Sequence, residues 1–457
     1  MVNLLISVLA GLLLTGAFAP LSIWWLAPLS IAMHMYSLSR SARPFLNSFI
    51  CACVFNAVAL HWTSIYVGAL PWIILCLGQS LLFLPLGFAT KYGMHLYPLI
   101  FLVLEELRSR FPFGGFGWLR LAFSQADSPY RKIAAYGGVS ALSAAVLCSA
   151  LVIFILIRRR INLLPLLPLV FIFLPFATTT VATVKVLMVQ GNVPQLGLDF
   201  NSRAMAVFSN HMKETQLALQ QNSDVDFVLW PENAVDVDPF THPSVAKALN
   251  SLEKPLIIGA VIRSQGQLQN ASIHWTKSAA NVYLKQHLTP FGEYIPLRGV
   301  ASAISPLVDF VEDFSPGRSG VIFTEKKAKI APVICFELLD DQILHQAAIA
   351  SNLLVVQTNS ATFGVSPQNA QQLEISRIRA IEHGRNTLSV STTGVSAVID
   401  YQGDLLEKTA LHTAAHIFTK VDLLEHQTPR DKAGDWALVG TASWLLVVAM
   451  AGRRRYT

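Results

Sequence analysis

Charge is what this sequence has least of. Asp, Glu, Lys and Arg make up 14% of its 457 residues, while hydrophobic residues make up 53%. Soluble domains carry about 25% charged residues, so a chain folded wholly in water is excluded and much of this one is expected in lipid. Cysteine is scarce as well, with five in all. Cys51, Cys53, Cys76 and Cys148 fall inside apolar runs, where a thiol behaves as a small hydrophobe, and no disulfide framework or zinc spacing is visible. No His/Cys/carboxylate cluster at ligand spacing appears, so neither metal nor cofactor is expected. A basic stripe is also missing. The net charge is +6, but the arginines at 158–160 and 453–455 directly follow apolar runs, as cytoplasmic flanks of membrane helices do. Nucleic acid is therefore not an expected partner. Internal repeats and low-complexity linkers are absent.

What is present is a near-continuous succession of apolar blocks over 1–182, ordinary mixed sequence over 183–430, and another apolar block at 436–452. A hydrocarbon core of about 30 Å needs roughly 20 apolar residues per helix. That ruler gives about eight spans, near 3–18, 21–38, 45–66, 69–89, 93–107, 133–157, 162–182 and 436–452. Three domains are expected: a membrane domain over 1–182 with about seven helices, an extramembrane domain over 183–430, and a last span with a basic tail over 431–457. With the N-terminus in the cytoplasm, Arg40, Arg43, Lys91 and both arginine triplets fall on the cytoplasmic side, which puts 183–430 outside it. Ala17-Phe18-Ala19 resembles a signal-peptidase site, but Pro20 would follow the cut and no Lys or Arg precedes the helix, so the helix is expected to stay.

The extramembrane stretch alternates. Short β-branched runs at 184–189, 227–230, 256–262, 330–335, 353–357, 389–399 and 417–421 predict buried strands. Helical spacing over 203–221, 339–350 and 370–385 lies between several of them. That alternation predicts an α/β layered domain with its site at carboxyl ends of strands. Glu232 and Cys335 both fall at such ends. Cys335 is the one cysteine outside the apolar blocks, in Lys329-Ile-Ala-Pro-Val-Ile-Cys-Phe-Glu337. A free thiol near pKa 8.5 is only ~3% thiolate at pH 7, so a nucleophile here needs a base and a cation. Glu232 in Trp230-Pro-Glu-Asn-Ala234 can serve as the base, its carboxyl raised by the apolar Trp-Pro setting. Lys285 in Lys285-Gln-His-Leu-Thr-Pro-Phe-Gly-Glu293 can stabilise a thiolate or an oxyanion. Glu293 closes a Gly- and Pro-shaped loop and can support the site. Taken singly, each has a plainer reading as a strand cysteine, a capping carboxylate and a surface lysine; the conjunction is what points to acyl chemistry.

These segments, with Val189-Gln-Gly-Asn-Val-Pro194, Gln357-Thr-Asn-Ser360, Arg377-Ile-Arg-Ala-Ile-Glu382, Thr393-Gly-Val-Ser396 and the loop Phe113-Gly-Gly-Phe-Gly-Trp118, resemble the carbon–nitrogen hydrolase (nitrilase) superfamily. Across nearly the whole chain the resemblance is to its membrane branch, the apolipoprotein N-acyltransferase family. It implies an α/β/β/α sandwich beside a polytopic helical domain, and a triad of Glu232 as base, Lys285 as oxyanion stabiliser and Cys335 as nucleophile. Glu293 and Glu337 match assisting glutamates, and Phe336 stands where an aromatic is usual. Arg379 and Glu382, one helical turn apart, are expected to form an ion pair within the domain. Gly117 replaces a common proline, the 358–364 run lacks a frequent tryptophan, and Phe200 is the nearest substitute for an aromatic expected after Gln-Gly-Asn.

By that resemblance a membrane phospholipid is the acyl donor, an S-diacylglyceryl apolipoprotein the acceptor, and a Cys335 thioester the intermediate. The setting implied is the bacterial cytoplasmic (inner) membrane, with a multi-pass monomer holding its catalytic domain on the extracytoplasmic face. Apolar residues over 300–311, with Phe310 and Phe314, could dip into membrane lipid. The rival readings are a membrane-anchored amidohydrolase of the nitrilase type, which lets water take the thioester, and a non-enzymatic polytopic transporter or assembly factor.

Overall fold

The computed structural model describes residues 1–65, 68–176, 178–193, 205–264, 266–277, 279–299, 302 and 312–456. Phe200 and the 300–311 stretch, apart from Ser302, lie outside the described residues. The chain forms two compact units. The first comprises Met1–Phe176, Ala370–Glu382 and Gln427–Thr457; the second comprises Ala177–Asn369 and His383–His426.

The first unit is helical. Its main helices are Val2–Ala17, Leu26–Ser39, Pro44–Ala59, Ala69–Leu81, Tyr97–Arg108, Ala134–Ile157 and Trp436–Tyr456. Among the described residues, three stretches are long and apolar enough to cross a membrane: Ala69–Tyr92, Pro129–Ile157 and Trp436–Arg453. The apolar helices Val2–Ala17 and Pro44–Ala59 are shorter. The span expected over 162–182 is different. Pro165 and Pro168 each remove a backbone donor, and the stretch folds as a ten-residue 3-10 helix, Leu164–Phe173, while its last residues open a strand.

The helix Gln368–His383 was expected to belong wholly to the α/β domain, yet its residues Ala370–Glu382 group with the first unit. Polar contacts explain it. Gln371 Oε1 accepts from the indole nitrogens of Trp62 at 3.0 Å and Trp118 at 2.7 Å, and its Nε2 donates to the carbonyl of Ala59 at 3.1 Å. Arg379 and Glu382 do form an ion pair, at 2.5 Å, and Glu382 also accepts from Val139 N. Val139 follows Gly138, which sits at φ 73 inside Ala134–Ile157. A Cβ on Gly138 would meet Glu382 Oε1 and Arg430 Nε at 2.7 Å, so only glycine admits these groups to the kink.

The second unit is a pair of six-stranded sheets. The first runs β12-β1-β2-β3-β4-β5, with β1 Thr180–Gln190, β2 Phe227–Leu229, β3 Leu256–Ser264, β4 Gln267–Trp275, β5 Ala280–Leu284 and β12 Ala415–Leu424. The second runs β11-β10-β9-β8-β7-β6, with β6 Phe323–Glu325, β7 Ala328–Ile334, β8 Leu353–Thr358, β9 Thr387–Ser391, β10 Ala397–Ile399 and β11 Leu405–Lys408. The run expected as one strand over 389–399 is two, β9 and β10, which pair antiparallel across a bend at 392–394. Val186, Phe227, Ile257, Ile330, Val355 and Leu388 fill the space between the sheets. The outer face of the first sheet packs on Ala206–Gln221 and Pro243–Ser251 through Phe208, Met212, Val245 and Leu249. Asp341–Ala350 packs on β7 and β8, completing the α/β/β/α order. Pro332 inside β7 breaks no ladder: β6 reaches only Phe323↔Ile330, so the missing N–H falls beyond its partner.

Candidate active site

Three strand ends in the second unit supply the chemistry. The first follows β2. Trp230 is wholly buried, its indole N–H donates to Thr215 Oγ1 at 2.9 Å, and its carbonyl accepts from Gln357 Nε2 of the opposite sheet at 2.7 Å. Pro231 and Glu232 then pass so close over β3 that a Cβ on Gly259 would lie 2.3 Å from Pro231 O and 2.5 Å from Glu232 Cα. Glycine at 259 thus sets the height at which Glu232 enters the site.

The second end follows β5. Lys285 donates its backbone N–H to Asn270 O on β4 at 2.9 Å, and its side chain is 1% exposed. The loop after it returns Glu293 to the same place: Thr289 N donates to Glu293 Oε2 at 2.7 Å and Glu293 N to Thr289 O at 2.9 Å. Lys285 Nζ therefore lies 3.4 Å from Glu232 Oε1 and 2.8 Å from Glu293 Oε2.

The third end carries Cys335, immediately after β7. Its φ is 49, in the left-handed region that costs a non-glycine residue about 1–2 kcal/mol. The turn Cys335–Leu339 is held there by Glu337. Glu337 Oε2 accepts from Ile334 N at 2.7 Å, while Oε1 accepts from Gln286 N at 2.6 Å, His287 N at 3.4 Å and Tyr283 OH at 2.8 Å. One carboxylate thus ties the turn that presents Cys335 to the strand end that presents Lys285. Phe336 is buried, with its ring edge-on to His287 at 5.3 Å.

The electrostatics separate the two carboxylates. Burial raises Glu232 above the usual carboxylate range; Lys285 opposes this, and Glu293 adds to it. Glu293 is also penalised by burial, but Lys285 and its hydrogen bonds outweigh that and bring it below the usual range. Burial would lower Lys285, yet the charges of Glu293, Glu232 and Cys335 more than compensate, so it stays firmly an ammonium. Burial pushes Glu337 up to about 7 despite its donors. The result is a protonatable carboxylate and a fixed cation, with Cys335 close enough for its charge to register at that cation.

Among the expected residues, Glu232, Lys285 and Glu293 meet directly, and Cys335 is joined to them through Glu337. The residue that sequence reasoning missed is Asn270, whose Nδ2 donates to Glu232 Oε1 at 2.8 Å and to Glu293 Oε1 at 2.7 Å. It lies on β4, a strand hidden in Gln267-Leu-Gln-Asn-Ala271 because polar residues interrupt the β-branched run. The alternation of Leu268, Asn270 and Ser272 was the signal available.

Residues 10–152 match the apolipoprotein N-acyltransferase N-terminal domain family, and residues 185–428 match the carbon–nitrogen hydrolase family. The chain is 30% identical to the apolipoprotein N-acyltransferase of Mycolicibacterium smegmatis, covering 97% of this chain and 84% of that protein. It is 31% identical to that of Azotobacter vinelandii (98% and 95% covered) and 28% identical to that of Photobacterium profundum (99% and 95%). Both halves of the sequence thus align with one enzyme type, and the chain belongs to the apolipoprotein N-acyltransferase family.

Proposed function

We propose that this chain moves an acyl chain from a membrane phospholipid to the N-terminal amine of an S-diacylglyceryl-cysteine lipoprotein, through a thioester on Cys335. The observation that carries the reading is the Lys285 ammonium held between Glu232 and Glu293, with the Cys335 charge felt at the same nitrogen. In the first half, Sγ attacks the ester carbonyl, Glu232 takes the thiol proton, and Lys285 stabilises the oxyanion. The C–O bond then breaks and Glu232 returns the proton to the departing lysophospholipid oxygen. In the second half, the lipoprotein amine attacks the thioester and Glu232 accepts its proton. The C–N bond forms, the C–S bond breaks, and the proton returns to Cys335. Glu293 keeps Lys285 charged, and Glu337 keeps the two strand ends in register.

The membrane-capable helices support lipid-borne substrates over the soluble ones of an amidohydrolase, since a water-soluble amide gains nothing from them. The arginines at 158–160 and 453–455 and Lys91 support an N-terminus in the cytoplasm, with the sandwich on the extracytoplasmic face of the bacterial inner membrane. The reading is tested by incubating the purified chain with acyl-labelled phospholipid. One label per chain is expected on the protein, released by hydroxylamine and absent from Cys335→Ala. Label that persists in Cys335→Ala would dismiss the thioester.

A further inference from the structure

Two buried carboxylates face one ammonium, and the pairing of charges alone does not say which of them moves protons. Hydrogen bonds do. Glu293 is fully engaged: Oε1 accepts from Asn270, and Oε2 takes Lys285 and Thr289 N. Glu232 receives its donors on one oxygen only. Asn270 Nδ2 and Lys285 Nζ both lie on Oε1, and among the described residues Oε2 accepts from none. Asn270 is the residue common to both patterns. Its orientation is fixed, because a flipped amide would set its carbonyl oxygen against two carboxylate oxygens. It is 2% exposed, and its Oδ1 has no partner among the described residues. An unpartnered buried acceptor is a cost to folding that an apolar side chain of the same size would avoid. Its backbone also holds Lys285, through Asn270 O.

We propose that Asn270 is the positioning residue that divides the labour of the two carboxylates: its single amide nitrogen ties down Glu232 Oε1 and Glu293 Oε1 together, and so reserves Glu232 Oε2 as the oxygen that takes the proton. Glu293 then has no oxygen to spare and serves only to hold charge. The inference rests on the reading that Cys335 is acylated with loss of its proton to Glu232. The charged groups facing that carboxylate are Lys285 and Glu293, with Cys335 beyond them at Lys285.

A donor to an ionised carboxylate favours the ionised form, so removing it raises the pKa. In the full-length chain, the rate of Cys335 acylation by labelled phospholipid is measured against pH for wild type, Asn270→Leu and Asn270→Asp. The acid limb of the profile is expected to move to higher pH by about one unit in Asn270→Leu, with a loss approaching tenfold at pH values below the limb and none well above it. Asn270→Asp, which keeps the shape and adds a third carboxylate, should move it further and supplies the answer if the leucine variant does not fold. A uniform loss of rate with an unmoved acid limb overturns the inference. Cys335→Ala, run alongside, separates the two claims: label surviving there removes the acylation reading itself, whereas label lost there with an unmoved limb removes only the role of Asn270.

Discussion

Buried charge occurs in both units of this protein, and the two clusters are built differently. In the helical unit the partners are arginines, and two buried carboxylates, Glu106 and Glu382, have both oxygens engaged, whereas Glu105 accepts on Oε1 and has no partner on Oε2 among the described residues. Glu106 Oε1 takes Arg120 and Ser140 while its Oε2 takes Arg110, and Glu382 takes Arg379 on one oxygen and Val139 N with Arg430 on the other. In the sandwich the cation is a lysine, and among the described residues Glu232 accepts on Oε1 alone. A planar guanidinium suits permanent bidentate pairing, whereas a compact ammonium can follow charge that develops nearby. What separates the clusters is the cation: arginines pair Glu106 and Glu382, while a lysine stands beside the carboxylate proposed to move a proton.

Removing a partner from a saturated cluster should cost the most. Glu382→Ala removes the carboxylate paired with Arg379, which is 1% exposed, and loss of one member of a buried pair costs about 3–5 kcal/mol. Its unfolding midpoint in detergent should drop sharply, while the acylation rate per folded molecule stays the same; an unchanged midpoint would break the contrast. Lys285→Arg comes next. It preserves charge but not shape, and loss of an oxyanion donor costs about 10²–10³ in rate. Acylation within tenfold of wild type would show that the lysine is as exchangeable as a structural cation.

The smallest effect expected is a pH dependence at Glu337. Its folded value near 7 lies above its ordinary 4.5, so the folded chain holds a proton that the unfolded chain releases. That contribution is complete below about pH 4.5 and is lost as pH rises through 7, up to about 3 kcal/mol. The wild-type midpoint should therefore fall between pH 5 and pH 8 relative to Glu337→Gln; parallel curves would remove this carboxyl from the pH response. The four donors around it prefer the ionised form, so the turn at Cys335 is clamped hardest where stability is lowest.

Much of this was legible in one dimension. Apolar run length announced membrane helices, and β-branched runs located β1, β2, β3, β7, β8 and β12. Strand-end placement singled out Glu232 and Cys335, and the Lys285–Glu293 loop was readable from its Pro and Gly. Three features were not. The 162–182 run satisfies a hydropathy ruler, but its prolines and the β-branched residues after Thr178 favour a 3-10 helix and the start of β1. The helix Gln368–His383 carries the right periodicity for either unit, and only the partners of Gln371 and Glu382 decide its place. Asn270 is marked along the chain only by its alternation with Leu268 and Ser272, which polar neighbours obscure.

The candidate groups were given by the chain alone: a lone cysteine outside the apolar blocks, a glutamate after Trp-Pro, and a lysine before a shaped loop. Side-chain chemistry and local spacing are properties of the chain, so they can be read from it. Folding, in contrast, set which carboxylate oxygen is without a donor among the described residues. That choice depends on donors from β4 and β5 converging within hydrogen-bond reach, and positions 38 and 53 residues away from Glu232 meet only when the sheet forms.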